Sequence, residues 1–171
     1  LTGKKAVLKE GYCLIKDLTA QDIATLAYRS QSSLHIGVLV GHGKSFKDIK
    51  LNTTLFSEFV KKGSSIAVRP VKLQPSATPS SQVGEELGSV ILDVAQQENI
   101  EVSVDLDNPD CAFLGVLGQD EVLLGVDVVG FIRSKRPYKL FSQPSSLNGV
   151  VAYCLARIGG VNKKSVVLDP C

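Results

Sequence analysis

Apolar residues recur along this chain with a spacing that changes from segment to segment. Residues 6–8 and 12–15 read as two short strands around Glu10-Gly11. Residues 20–30 read as a helix, with Ile23, Leu26 and Ala27 on one face and Thr19 or Ala20 at its start. Residues 34–40 (LHIGVLV) read as a strand ended by Gly41-His42-Gly43. This strand-strand-helix-strand order is most of a small ferredoxin-like unit without its first helix. Residues 51–61 place Leu55, Phe56, Phe59 and Val60 at helical spacing, and residues 65–71 (SIAVRPV) read as a strand. Pro70 has no N–H to give a ladder, so that strand should lie at an edge or end there. Residues 74–81 (QPSATPSS) form a polar, proline-bearing loop, the one best suited to meet a partner.

A long helix should follow to about Glu98, capped by Ser81, with Val83, Leu87, Val90, Ile91 and Val94 as its buried stripe. Glu85 and Glu86 sit in its early turns, where the helix dipole favours negative charge. Residues 101–106 alternate as a strand, and 107–110 make a turn. Residues 112–117 and 122–129 read as strands of a hairpin turning at 118–121. Residues 147–158 carry Leu147, Val150, Val151, Cys154, Leu155 and Ile158 on one helical stripe, ended by Gly159-Gly160. A last strand is expected at residues 165–168.

Composition narrows the class. The chain has 171 residues, room for one ordinary domain or two small ones. Its 44% hydrophobic and 21% charged residues are globular proportions. A net charge of +2 means that any nucleic-acid site must be a local patch. No apolar run approaches the roughly 18 to 20 residues of a membrane span. Residues 1–10 carry four charges and no apolar core, so they do not read as a signal peptide. The four cysteines show no CxxC spacing, which points to reduced thiols and a cytoplasmic protein without a zinc site. The absence of methionine suggests a segment of a longer chain.

Several clusters could carry chemistry. Gly43-Lys44-Ser45 looks like the end of a phosphate loop, but the glycine required five residues earlier is Val38, so a plain loop after a strand is the simpler reading. His35 and His42 have no third ligand or nucleophile at a useful spacing. Asp105, Asp107 and Asp110 miss the calcium-loop pattern and fit turn capping better. Residues 133–139 are different, with Arg133, Lys135, Arg136 and Lys139 interleaved with Tyr138. Cations that release counterions and a ring that stacks on a base are what RNA contact needs. Arg69 and Lys72 lie beside the polar loop and could add to it. Gly84 and Gly88, four apart on one helix, allow either close packing on a sheet or close approach of an RNA backbone.

In order, Ser65-Ile66-Ala67-Val68-Arg69, the helix with Leu87-Gly88, Val104-Asp105-Leu106-Asp107-Asn108-Pro109-Asp110, the hairpin to Gly125-Val126-Asp127, and Arg136-Pro137-Tyr138-Lys139 resemble a THUMP domain. Pro144-Ser145-Ser146-Leu147 and the ending Leu168-Asp169-Pro170-Cys171 resemble the entry to the cofactor loop of THUMP-linked tRNA guanosine-N2 methyltransferases. Where that family often has Arg-Gly-Tyr-Arg, this chain has Arg136-Pro137-Tyr138-Lys139. The Ser-Gly-Gly loop of the THUMP-linked 4-thiouridine synthases has no counterpart here.

The resemblance implies an α/β (α+β) chain with a ferredoxin-like unit at 1–50 and a THUMP RNA-binding domain at 51–140. It also implies a linker helix at 141–160 and the first strand of a truncated Rossmann-like methyltransferase domain at 161–171. It implies S-adenosylmethionine as cofactor of the complete enzyme, with Asp169 opening its loop, and no metal. It implies tRNA as partner, held by its acceptor stem and 3′ end, with RNA contacts from Arg69, Lys72, Arg133, Lys135, Arg136 and Lys139. The catalytic Pro-Pro-Tyr motif is not in these residues, so this segment should hold tRNA without methylating it. A non-catalytic THUMP adaptor is the alternative.

Overall fold

A computed structural model describes residues 2–130, 141 and 145–168. Its elements in chain order are β1 (Ala6–Lys9), β2 (Tyr12–Ile15), α1 (Ala20–Arg29), β3 (Gly37–Gly43), β4 (Lys50–Leu51), α2 (Thr53–Phe59), β5 (Ser65–Lys72), α3 (Ser80–Gln97), β6 (Ser103–Val104), β7 (Cys111–Leu117), β8 (Val122–Asp127) and α4 (Gly149–Ile158). The mixed α/β class expected from the sequence is observed. The chain divides into two units: Lys4–Leu18 with Gly37–Gly130, and Leu1–Gly3 with Thr19–Ile36 and Phe131–Cys171.

The first unit holds a six-stranded sheet in the order β4-β3-β8-β7-β5-β6. β5 runs parallel to β7 and β6, and the other pairs are antiparallel. Among the described residues, β1 and β2 pair only with each other. The expected boundary at residue 50 falls inside the large sheet, because β4 spans it and β3 pairs with β8 rather than with β1 or β2. β3 also runs through Gly41-His42-Gly43 instead of ending there. Gly43 makes this possible: a Cβ would stand 2.7 Å from the Asp48 carbonyl carbon, so only glycine lets the chain fold back so tightly into β4.

One apolar cluster lies under α2 and α3. Phe56 and Val60 meet Val83, Leu87, Ile91 and Ala95 over Ile66, Phe113, Leu124 and Val126. Phe56 and Phe113 stack with ring centroids 6.0 Å apart. Of the stripe expected on α3, Val83, Leu87 and Ile91 are buried and Val90 and Val94 half-buried, with Ala95 added to the buried set; the helix begins at Ser80 and has no side-chain cap, so Ser81 is not the capping residue. Leu87 sits so low on β7 that a Cβ on Gly115 would lie 2.3 Å from its Cδ1 and 3.1 Å from Val68 Cγ1. β5 is neither the edge strand nor ended at Pro70, since it runs on to Lys72 between β7 and β6; Pro70 is accommodated because the β5–β6 pairing involves only Ser65 and Ile66.

The acidic stretch before β7 is built as a set of clamps. Asp105 Oδ1 accepts from the Asp107 and Asn108 amides at 2.9 and 3.0 Å. This turn ends β6 after two residues, short of the strand expected over 101–106. Asp110 Oδ2 accepts from the Ser65 amide at 2.8 Å and the Ser65 hydroxyl at 2.9 Å, and the Asp110 amide donates back to Ser65 Oγ at 2.9 Å. These bonds join the starts of β5 and β7 and hold the Asp110 carboxyl below the usual carboxylate range.

In the second unit, a reciprocal Thr19–Asp22 capping box starts α1. Asn148 caps α4 by accepting from the Val150 amide at 2.9 Å. Of the apolar stripe expected to be buried on α4, only Val150 is; Leu155 is 54% and Ile158 83% exposed. Residues 165–168 form no strand, because among the described residues they have no ladder partner, and a lone strand leaves its backbone groups to water.

Gly115→Ala is expected to destabilise the protein by about 1–3 kcal/mol, the usual cost of overpacking a filled core. Gly88, with nothing within 4 Å of a built Cβ, should gain up to about 1 kcal/mol on substitution by Ala. Denaturant midpoints at constant m-value check both. The Asp110 contribution should be complete above its unfolded value of 3.8 and be lost as pH falls through the lower native value. Asp110→Asn should therefore lower the melting temperature at pH 7 and reduce its fall below pH 3.8; thermal melts across pH test this.

Candidate nucleic-acid interface

Alternation along β5 places Arg69 and Lys72, three residues apart, on opposite faces of the sheet. They do not form one basic patch. Each fixes a loop. Arg69 Nη2 donates to the Leu106 carbonyl at 2.6 Å and so holds the segment after β6 against the β5 edge. Lys72 Nζ donates to the Thr78 carbonyl and closes the polar loop on itself. A guanidinium has five donors and an ammonium three, so both cations keep hydrogen-bonding capacity for a ligand.

Between α3 and the open edge of β5 runs a groove of about 570 Å³. Arg69, Pro70, Ser81, Gly84, Gly88 and Leu106 line it. β6 stops at Val104, and this early stop leaves the edge unpaired among the described residues. The two helix glycines now have a distinct reading. Gly84 would bring a Cβ no nearer than 3.7 Å to Pro70 Cγ, and Gly88 would meet nothing within 4 Å. Neither is required by close packing of the described residues. Their effect is to keep side chains out of the groove, where a backbone or a base could come close to the helix. The glycine the core does require, Gly115, gave no sign in the sequence: it sits in a run that reads only as a buried strand.

Arg133, Lys135, Arg136, Lys139 and Asp169 lie outside the described residues. His35 and His42 are exposed or nearly so and are not gathered with other ligands; among the described residues no group of three or more His, Cys, Asp or Glu could hold a metal ion. Cys111 is buried at the start of β7, and burial beside Asp110 pushes its thiol up to about 11, so it stays protonated at neutral pH. Among the described residues no helix is long and apolar enough to cross a membrane.

Comparison with known proteins gives a consistent set of relatives. No family model matches the chain. A curated Methanocaldococcus jannaschii protein, tRNA (guanine(6)-N2)-methyltransferase, is 30% identical over 117 residues, which is 67% of this chain and 31% of that protein. The protein of the same name from Archaeoglobus fulgidus is 26% identical over 111 residues, 64% of this chain and 28% of its own length. The chain thus spans about a third of the length of the curated relatives it matches. In fold it is similar to a Listeria monocytogenes structure described as a predicted N6-adenine-specific DNA methylase, with a TM-score of 0.65 over 91% of this chain and 42% of the other. At 13% identity that likeness speaks for the fold alone. The resemblance read from the sequence is borne out: over about two thirds of its length, this chain is similar to two curated tRNA (guanine(6)-N2)-methyltransferases.

Proposed function

We propose that this chain is the tRNA-holding part of an S-adenosylmethionine-dependent tRNA guanosine-N2 methyltransferase. The observation that carries the reading is the match to two curated enzymes of that name. The six-stranded sheet with α2 and α3 acts as the THUMP-like RNA-binding unit. In sequence, Arg133, Lys135, Arg136 and Lys139 come between it and the linker helix α4 and add phosphate contacts, and the catalytic domain starts at 161–171. Bound by its acceptor stem and 3′ end, a tRNA presents a guanosine to that domain in a fixed pose. Holding the substrate at a fixed point converts methyl transfer into an effectively unimolecular step.

S-adenosylmethionine would supply the methyl group in such an enzyme, with Asp169 opening the loop that holds it. In this reading the work of the described residues is binding and orientation. Arg69 and Lys72 hold the two loops beside the α3 groove in place and keep spare donors for phosphate. The open positions beside Gly84 and Gly88 admit the RNA backbone to the helix.

Replacing Arg133, Lys135 and Arg136 together by Ala should weaken tRNA binding by tenfold or more and lower the slope of log affinity against log salt by about two to three. Unchanged affinity and slope would remove the strip from the interface. Gly84→Ala with Gly88→Ala should stabilise the helix yet weaken tRNA binding several-fold. Equal binding by a stabilised double variant would take the groove out of the account.

A further inference from the structure

The groove between α3 and β5 has a polar edge as well as apolar walls. The Ser103 amide donates to the Ser64 carbonyl and the Asp105 amide to the Ile66 carbonyl, each at 3.1 Å. Alternate residues of this stretch thus turn their peptide groups toward β6. The same alternation turns the peptide groups of Val68 and Pro70 to that side, beyond the last β5–β6 pair. Among the described residues they have no ladder partner there, and both residues line the groove. Val68 offers an N–H and a carbonyl side by side. Pro70 offers a carbonyl alone, because proline has no N–H.

The walls suit something flat and apolar. Leu92 on α3, Val104 at the end of β6 and Leu106 just after it are exposed apolar side chains that line the groove. Arg69 fixes the Leu106 wall through its bond to the Leu106 carbonyl. Gly84 and Gly88 leave the helix side bare. With one cation (Arg69) and one carboxylate (Glu85) on its lining, the groove has no excess of charge. Its volume, about 570 Å³, is that of a small-ligand site.

An added peptide strand would need regular donors along this edge, and Pro70 removes one. A polyphosphate would find no surplus of cations. An unpaired nucleobase matches both features. Its faces are apolar, and its edge sets an acceptor beside a donor, the complement of the Val68 peptide groups. The carbonyl-only stretch at Pro70 then selects among bases. Adenine and cytosine place an amino group, which only donates, beside a ring-nitrogen acceptor. Uracil flanks its single N–H with two carbonyl oxygens, one of which would be turned toward the Pro70 carbonyl.

We infer that the groove holds one unpaired, amino-bearing nucleobase of the bound RNA. Its edge bonds to the Val68 peptide groups, its faces lie against the apolar walls, and its ribose-phosphate passes over Gly84 and Gly88. The inference rests on the reading of this chain as a tRNA-holding unit and makes the groove a base-reading site. Burial and hydrogen bonds supply the affinity, so this contact adds little to the salt dependence.

The test measures binding of the 171-residue chain to tRNA and to short oligomers of adenosine, cytidine or uridine. Wild type should bind oligo(A) and oligo(C) about tenfold more tightly than oligo(U). Gly88→Leu fills the slot and Leu106→Ser removes a wall. Each should weaken oligo(A) and oligo(C) by about tenfold. The slope of log affinity against log salt should stay unchanged, because neither variant removes a cation. Pro70→Ala restores an N–H to the edge and should narrow the preference over oligo(U). Melting temperature should not fall in the two groove variants, since a Cβ on Gly88 meets nothing within 4 Å and Leu106 is exposed. If wild type binds tRNA but takes the three oligomers alike, or none of them, the base reading fails while the tRNA reading stands. Unchanged oligomer binding by both groove variants also overturns it. So does weaker binding with a smaller salt slope, which would mark a phosphate contact. A wild-type chain that binds no tRNA overturns the reading beneath it.

Discussion

The parallel pairing of β5 with β7 is the constraint from which the rest of the larger unit follows. Parallel neighbours need a crossover, and the chain leaves β5 through the polar loop and returns through α3 before it reaches β6 and β7. α3 must then lie flat on the sheet it crosses, and Gly115 beneath Leu87 is what lets it do so. The two starts are pinned by the Ser65–Asp110 exchange of hydrogen bonds. Because the Asp105 turn stops β6 after two residues, the far half of β5 keeps an open edge beside the helix. The groove is thus a direct product of a short strand and a long helix sharing one neighbour.

Local pattern carried much of this. Most of the stripe on α3, the start of α1 near Thr19 and the β7–β8 hairpin were legible because each depends on residues close in sequence. The reading of Asp105 as a turn-capping group rather than a cation ligand was also legible, from spacing, whereas Asp110 bonds to Ser65 at the distant start of β5. What the sequence did not disclose depends on distant partners. β3 gave the pattern of a strand, but nothing local shows that its ladder partner is β8, which begins at Val122. Gly43 reads as a loop residue until the return into β4 makes it a contact point. The apolar stripe on α4 and the run at 165–168 have the pattern of buried elements and stay exposed, since pattern reports what a segment can bury and not whether a partner is at hand.

The candidate site was legible to a different degree. Composition pointed to Arg69 and Lys72 as RNA contacts, and strand alternation separates them onto two faces, each first engaged in holding a loop. Gly84 and Gly88 gained meaning only from the space around them. A protein with almost no net charge has to bind a polyanion through local arrangements. Its affinity should accordingly depend on the geometry of a few cations more than on ionic attraction at a distance.

The central claim is that this chain holds tRNA by the acceptor stem and 3′ end. Competition of isolated stem-loops against labelled intact tRNA for the 171-residue chain tests it most directly. An acceptor-stem minihelix with its 3′ single strand should displace intact tRNA at close to the concentration of unlabelled tRNA itself, and removal of the single strand should weaken it. Displacement by the anticodon stem-loop, with none by the minihelix, would contradict the account.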